Sequence, residues 1–103
     1  MDNLFAKIPA HLPEELFEKL LQTPAFTLER IVSRGHSTPP GEWYDQERDE
    51  WVLVVRGKAR LGFEEGQVEM QEGDYLLIPA RRKHRVEWTD PQQETVWLAL
   101  HFG

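Results

Sequence analysis

The apolar residues of this chain change period once, near residue 25. Before that point Leu12, Leu16, Phe17, Leu20 and Leu21 recur at three- and four-residue spacing, which predicts an amphipathic helix over residues 12–21. Pro13 suits the first helical position, Glu14 and Glu15 suit the positive end of the helix dipole, and Pro24 bars continuation. From Phe26 onward the period is two. The alternation predicts strands over 26–33, 50–55, 59–63, 68–70, 75–78, 84–88 and 95–102. Between them lie turn signals: Ser37-Thr38-Pro39-Pro40-Gly41, Arg56-Gly57-Lys58, Glu64-Glu65-Gly66-Gln67, Gly73-Asp74, and Thr89-Asp90-Pro91.

The same alternation sorts side chains by face. Glu50, Val52 and Val54 share one face, with Trp51, Leu53 and Val55 opposite. His84, Val86 and Trp88 fall together, as do Trp97, Ala99 and His101. The segment 95–102 is apolar on both faces, which predicts a central strand. Short strands at regular spacing, with no internal repeat, predict an all-β sandwich or barrel over residues 26–103. Residues 1–25 are expected as a helical segment packed against its outside. The face carrying Trp51, Leu53 and Val55 needs a cover, supplied by that helix or by a second subunit in a homodimer.

Composition narrows the class. With 103 residues the chain fits one domain, and 40% apolar with 29% charged residues is a globular balance. The net charge of −6 disfavours nucleic acid as a partner. The longest apolar run is too short for a membrane span, and the start Met1-Asp2-Asn3-Leu4-Phe5 lacks the basic and apolar stretches of a secretory signal. The expectation is a cytoplasmic protein. There is no cysteine, so any metal must be held by oxygen and nitrogen donors.

Two positions carry candidate chemistry. Glu50 shares its face with valines, where a carboxylate is costly unless paired or metal-bound. His84 opens another strand, and an imidazole facing the same cavity would complete an oxygen-plus-nitrogen donor pair. The alternatives are a rim carboxylate paired with arginine and a hydrogen-bonded core histidine.

The residues around these two resemble the cupin superfamily. Glu50-Trp51-Val52-Leu53-Val54-Val55-Arg56-Gly57 matches the E-x6-G half of the first cupin motif, G-x5-H-x-H-x3,4-E-x6-G. The run from Gly73 through Pro79 to His84 matches the second, G-x5-P-x-G-x2-H-x3-N, up to its histidine. The resemblance spans roughly residues 26 to 102 and implies a small cupin barrel. It also implies a divalent metal ion (zinc, iron, manganese or nickel) held by Glu50, His84 and one or both of Asp45 and Gln46. The chain departs from the pattern where the family has H-x-H. A three-residue spacing to the glutamate puts Tyr44 and Gln46 there, and a four-residue spacing puts Trp43 and Asp45. Arg81 stands at the second-motif glycine and Trp88 at its asparagine.

Tyr44, Trp43, Trp88, His36 and His101 are candidates for the wall of the pocket, each set against a role in turn, core or surface. The run Arg81-Arg82-Lys83-His84-Arg85 suggests capture of an anion at the barrel mouth, against the plainer reading of a solvated turn. Two functions follow: a metal-centred pocket, such as that of a small-molecule metalloenzyme, or a metal-free module that binds or senses a small molecule such as an organic acid. A structural dimerisation unit with an inert pocket is a third. No catalytic residue is assigned.

Overall fold

The computed structural model describes all 103 residues. It contains eight antiparallel strands and no α-helix: β1 (Leu16–Gln22), β2 (Phe26–Ser33), β3 (Asp49–Arg56), β4 (Lys58–Phe63), β5 (Gly66–Gln71), β6 (Tyr75–Ile78), β7 (His84–Thr89) and β8 (Thr95–Phe102). They form two sheets, one ordered β1-β2-β8-β3-β6 and one ordered β5-β4-β7. No helix is long and apolar enough to cross a membrane.

Every strand predicted from period two is present within two residues of its expected ends. β8, apolar on both faces, is the central strand of the larger sheet. Its register places Trp97, Ala99 and His101 on the inner face beside Val54, Val52 and Glu50 of β3. Across β2 the same face carries Ile31, Glu29 and Thr27. The core closes when Ala59, Leu61 and Phe63 of β4, with Met70 and Ile78, pack against this face. A cluster of this kind is held by removal of apolar surface from water.

The predicted helix is not formed. Residues 16–22 are instead β1, an edge strand hairpinned to β2 through Thr23, whose hydroxyl accepts from the Ala25 and Phe26 amides. The register shifts between Lys19 and Leu21, leaving Leu20 as an extra residue. That bulge is what imitates a helical stripe. Phe17 pairs with Ile31 on the inner face, whereas Leu16 and Leu21 pair with Val32 and Leu28 on the outer one. An isolated helix this short is marginal in water, while β2 offers an open edge of backbone donors and acceptors.

The segment before β1 crosses the outer face of the larger sheet. Its Leu4 and Ala6 carbonyls each accept from Arg30 at 2.8 Å, and the guanidinium also pairs with Glu18. Phe5 lies 3.9 Å from the Arg56 guanidinium. The cover expected for the outer face is thus an irregular strap over one end. Tyr75 and Leu77 remain 68% and 50% exposed at the β3–β6 end, where Tyr75 packs on Trp51.

Candidate small-molecule pocket

A cavity of about 150 Å³ lies between the sheets, walled by Ile31, Val52, Leu61, Ile78, Val86 and Trp97. Its polar lining is Glu15, Glu29, Tyr44, Gln46, Glu50, His84 and His101, and Phe17 of the edge strand completes it. Glu50 and His84 converge there. Both are buried, and His84 Nε2 stands 3.2 Å from Glu50 Oε1.

The loop before β3 and the start of β7 place this pair. Tyr44 and His84 exchange backbone hydrogen bonds, Tyr44 N–H to His84 O at 2.7 Å and His84 N–H to Tyr44 O at 3.1 Å. The Tyr44 ring stacks on the His84 ring at 5.6 Å. Arg81, at the family's glycine position, keeps a glycine-like φ of 67° and donates its N–H to Gln46 O at 2.7 Å. The left-handed backbone survives the substitution because it holds this loop.

His84 Nδ1 lies 2.9 Å from the Arg82 carbonyl, to which its N–H donates. In the neutral ring Nε2 is then a bare lone pair facing a carboxylate. Burial and, to a lesser degree, the Arg82 charge disfavour the imidazolium, but the Glu50 contact, the Arg82 carbonyl and the Glu50 charge together outweigh them and hold the His84 pKa above its ordinary value. The Tyr44 phenol is pushed up by burial first, then by the charges of Glu15, Glu50 and Glu42. It stays protonated at neutral pH. A second imidazole–carboxylate pair faces the cavity: His101 Nε2 is 2.9 Å from Glu29 Oε1.

Three polar atoms of the lining are buried without an aligned hydrogen-bond partner: Gln46 Oε1, Glu50 Oε1 and Trp97 Nε1. The 3.2 Å approach of His84 is an ion-pair distance that leaves Glu50 Oε1 without a well-directed donor. Buried polar groups are normally satisfied, so three such atoms around one cavity point to an occupant.

Of the sequence candidates, Tyr44, Gln46, Glu50, His84 and His101 come together and four do not. Asp45 turns outward to Arg81 Nε at 3.0 Å. Trp43 lies outside the cavity near the Arg85 guanidinium. Trp88 is on the wrong face because a register shift in the β4–β7 pairing leaves Glu87 unpaired: Leu61 pairs with Val86, but Arg60 pairs with Trp88. His36 ties the strap to the loop, accepting from the Arg34 amide at Nδ1 and donating to the Leu12 carbonyl at Nε2. The basic run does not serve the cavity either. Arg81, Arg82 and Arg85 pair with Asp45, Glu65 and Glu87, and Lys83 is exposed. Sequence reading missed Glu29 and Glu15. Glu29 alternates with Thr27 and Ile31, a pattern that would have flagged it, whereas the helical reading hid Glu15.

The metal implied by the cupin resemblance meets a mixed donor set. His84, anchored at Nδ1 with Nε2 free, is oriented as ligating imidazoles are, and Glu50 stands beside it. No group of three His, Cys, Asp or Glu side chains is placed to hold a metal ion, and Gln46 is a further oxygen donor of the same lining. Protein metal centres generally supply three or four strong ligands, so the set falls short of one on its own.

Comparison with known proteins places the fold. The cupin domain profile matches residues 31–101, and the chain belongs to the cupin family. A Ralstonia eutropha protein whose structure is described as a "putative mannose-6-phosphate isomerase" is 46% identical, with a TM-score of 0.95, covering 99% of this chain and 96% of that one. A cupin superfamily protein of Desulfitobacterium hafniense superposes with a TM-score of 0.77 at 19% identity, over 92% and 83% of the two chains. TT1209 of Thermus thermophilus gives 0.81 at 12% identity, over 99% and 95%. Comparison with curated proteins finds no match.

Proposed function

We propose that this cupin binds one small polar organic molecule between its sheets, with the Glu50–His84 pair as the polar focus of recognition. One observation carries the reading: Gln46 Oε1, Glu50 Oε1 and Trp97 Nε1 are buried, unpartnered and set around a single apolar-walled cavity. An unsatisfied buried polar atom costs about 1–3 kcal/mol, so an occupant that satisfies all three gains affinity as well as orientation. The two imidazole–carboxylate pairs also give the cavity groups suited to proton transfer, the chemistry an isomerase or lyase needs. The isomerase description of the Ralstonia protein is compatible with that use.

The test is thermal unfolding in metal-free buffer against a panel of small metabolites. A true ligand at one hundred times its Kd stabilises the fold by about 2.7 kcal/mol and raises Tm. Shifts that appear only when a divalent metal is added remove this reading in favour of a metal-centred one. The metal-centred alternative has its own support in the anchored Nδ1 of His84 and the facing Glu50 carboxylate. It requires purified protein to retain close to one equivalent of zinc, iron, manganese or nickel. Less than about a tenth of an equivalent, unchanged by adding these metals, counts against it.

A homodimer is part of the same proposal. Tyr75 and Leu77 leave an apolar strip open beside Trp51, and exposed strips of this kind on a small domain mark contact surfaces. A second copy meeting it edge-on through a two-fold axis would bury the strip on both chains.

A further inference from the structure

The signs of the charges around the cavity, together with its unpartnered atoms, restrict what can enter. Resting on the pocket reading above, we propose that the occupant is a small neutral polyhydroxyl compound, a polyol or simple sugar of about three to five carbons, and that anions are excluded.

Charge is the first support. Three carboxylates, Glu15, Glu29 and Glu50, line the cavity with two imidazoles and no lysine or arginine. The lining thus carries more carboxylates than imidazoles and no permanently charged cation. The Tyr44 pKa, raised first by burial, is raised further by the charges of Glu15 and Glu50. Arg81 and Arg82 are paired outside, with Asp45 and Glu65, while Arg85 lies beside Glu87 and donates to the Thr38 carbonyl. Bringing a phosphate or carboxylate into this enclosure would bury it against like charge with no cation to pair it.

Hydrogen-bond polarity is the second. Gln46 Oε1 needs a donor, Glu50 Oε1 has only the 3.2 Å approach of His84 Nε2, and the Trp97 indole N–H needs an acceptor. A simple ammonium ion donates but cannot accept, and a hydrocarbon does neither. Hydroxyl groups do both, and several on one carbon chain satisfy all three atoms at once. A cavity of about 150 Å³ has room for a short polyol and is small for a larger sugar.

Two further cations, Lys19 and Arg48, sit in an adjoining groove that shares Glu29, Gln46 and His101 with the cavity. Arg48 there donates to the Ala25 carbonyl, and Glu47 and Glu29 lie alongside. A phosphorylated sugar that reached this groove is therefore the main competitor, and the test includes it.

Isothermal titration in metal-free buffer should compare erythritol and ribose with ribose 5-phosphate, succinate and putrescine. The expected result is binding of erythritol or ribose, with ribose 5-phosphate and succinate at least about tenfold weaker. Trp97→Phe, which keeps an aromatic ring but removes the N–H and part of the bulk, should weaken that binding by about tenfold. Tighter binding of ribose 5-phosphate, succinate or putrescine overturns the polyol assignment and leaves the pocket reading standing. So does undiminished polyol binding by Trp97→Phe. If none of the probes binds, the polyol assignment falls, and the metabolite-panel melts described above then decide whether the pocket reading falls with it.

Discussion

Gly57, the glycine that closes the first cupin half-motif, stands where the chain leaves the larger sheet for the smaller. Its φ is +96°, and a Cβ there would lie 2.7 Å from Thr95 Cα and 2.9 Å from the Glu94 carbonyl. Both obstacles are backbone atoms. Gly57→Ala should therefore cost at least about 2 kcal/mol, read from urea unfolding midpoints at constant slope; an unchanged midpoint would contradict the close approach. His84 gives a pH prediction at the same scale. Its folded pKa lies above 6.5, so the protonated ring contributes stability that is fully present below pH 6.5 and fades as pH rises through the folded value. Titration of the imidazole signals by NMR should find His84 above 6.5 in the wild type and lower in Glu50→Gln, which removes the facing charge. Equal values in the two proteins would mean that Glu50 is not the partner. The identities of Glu50 and His84 as a converging pair were legible in the chain, because each opened a strand at a motif position. Their partner residues were not, because which strand lies beside which is settled by pairing and not by local pattern.

At the scale of elements, two bulges explain most of what the alternation misassigned. The extra residue in β1 let a strand look like a helix, and the extra residue in β7 moved Trp88 off the pocket face. Trp88 now lies outside, with the Arg60 guanidinium 5.8 Å from its ring. Trp88→Ser should leave ligand affinity within about twofold, whereas a loss of about tenfold or more in titration would return Trp88 to the pocket. β1 and the residue just before it matter to function because Phe17 and Glu15 wall the cavity from that side. The strap that holds it is keyed by Arg30, buried at 4% exposure and shared among Leu4 O, Ala6 O and Glu18. Arg30→Ala removes donors from two carbonyls and one carboxylate. The expected loss is about 2–3 kcal/mol, together with faster proteolysis of residues 1–15. Cleavage at the wild-type rate would mean that the strap is held by something else.

For the whole molecule the open strip beside Trp51 sets the prediction. Light scattering should give twice the chain mass at micromolar concentration, and Leu77→Glu, half exposed in the single chain, should give one chain mass without unfolding it. A wild-type protein that runs as a monomer removes the homodimer. The charge of the molecule also reads differently at this scale. The basic run could be read in the chain as an anion receptor or, more plainly, as a solvated turn; in the fold Arg81 and Arg82 pair with local acids, Arg85 lies beside Glu87, and the cavity lining carries three carboxylates. A sequence lists the charges, and only the fold assigns each one a neighbour.

The cupin architecture and the meeting of an acid with an imidazole were implied by the resemblance that the two half-motifs carry, while local alternation and turn residues determined seven of the eight strands. These are properties of short stretches, in which the pleat and the turn impose a period on the side chains. Cross-strand register, the two bulges and the docking of the strap were decided only in three dimensions. They depend on hydrogen bonds between residues distant in the chain, and a one-residue slip carries a side chain to the opposite face. That is why the cavity's carboxylates and its orphaned indole came from the structure, and with them the preference for an uncharged ligand.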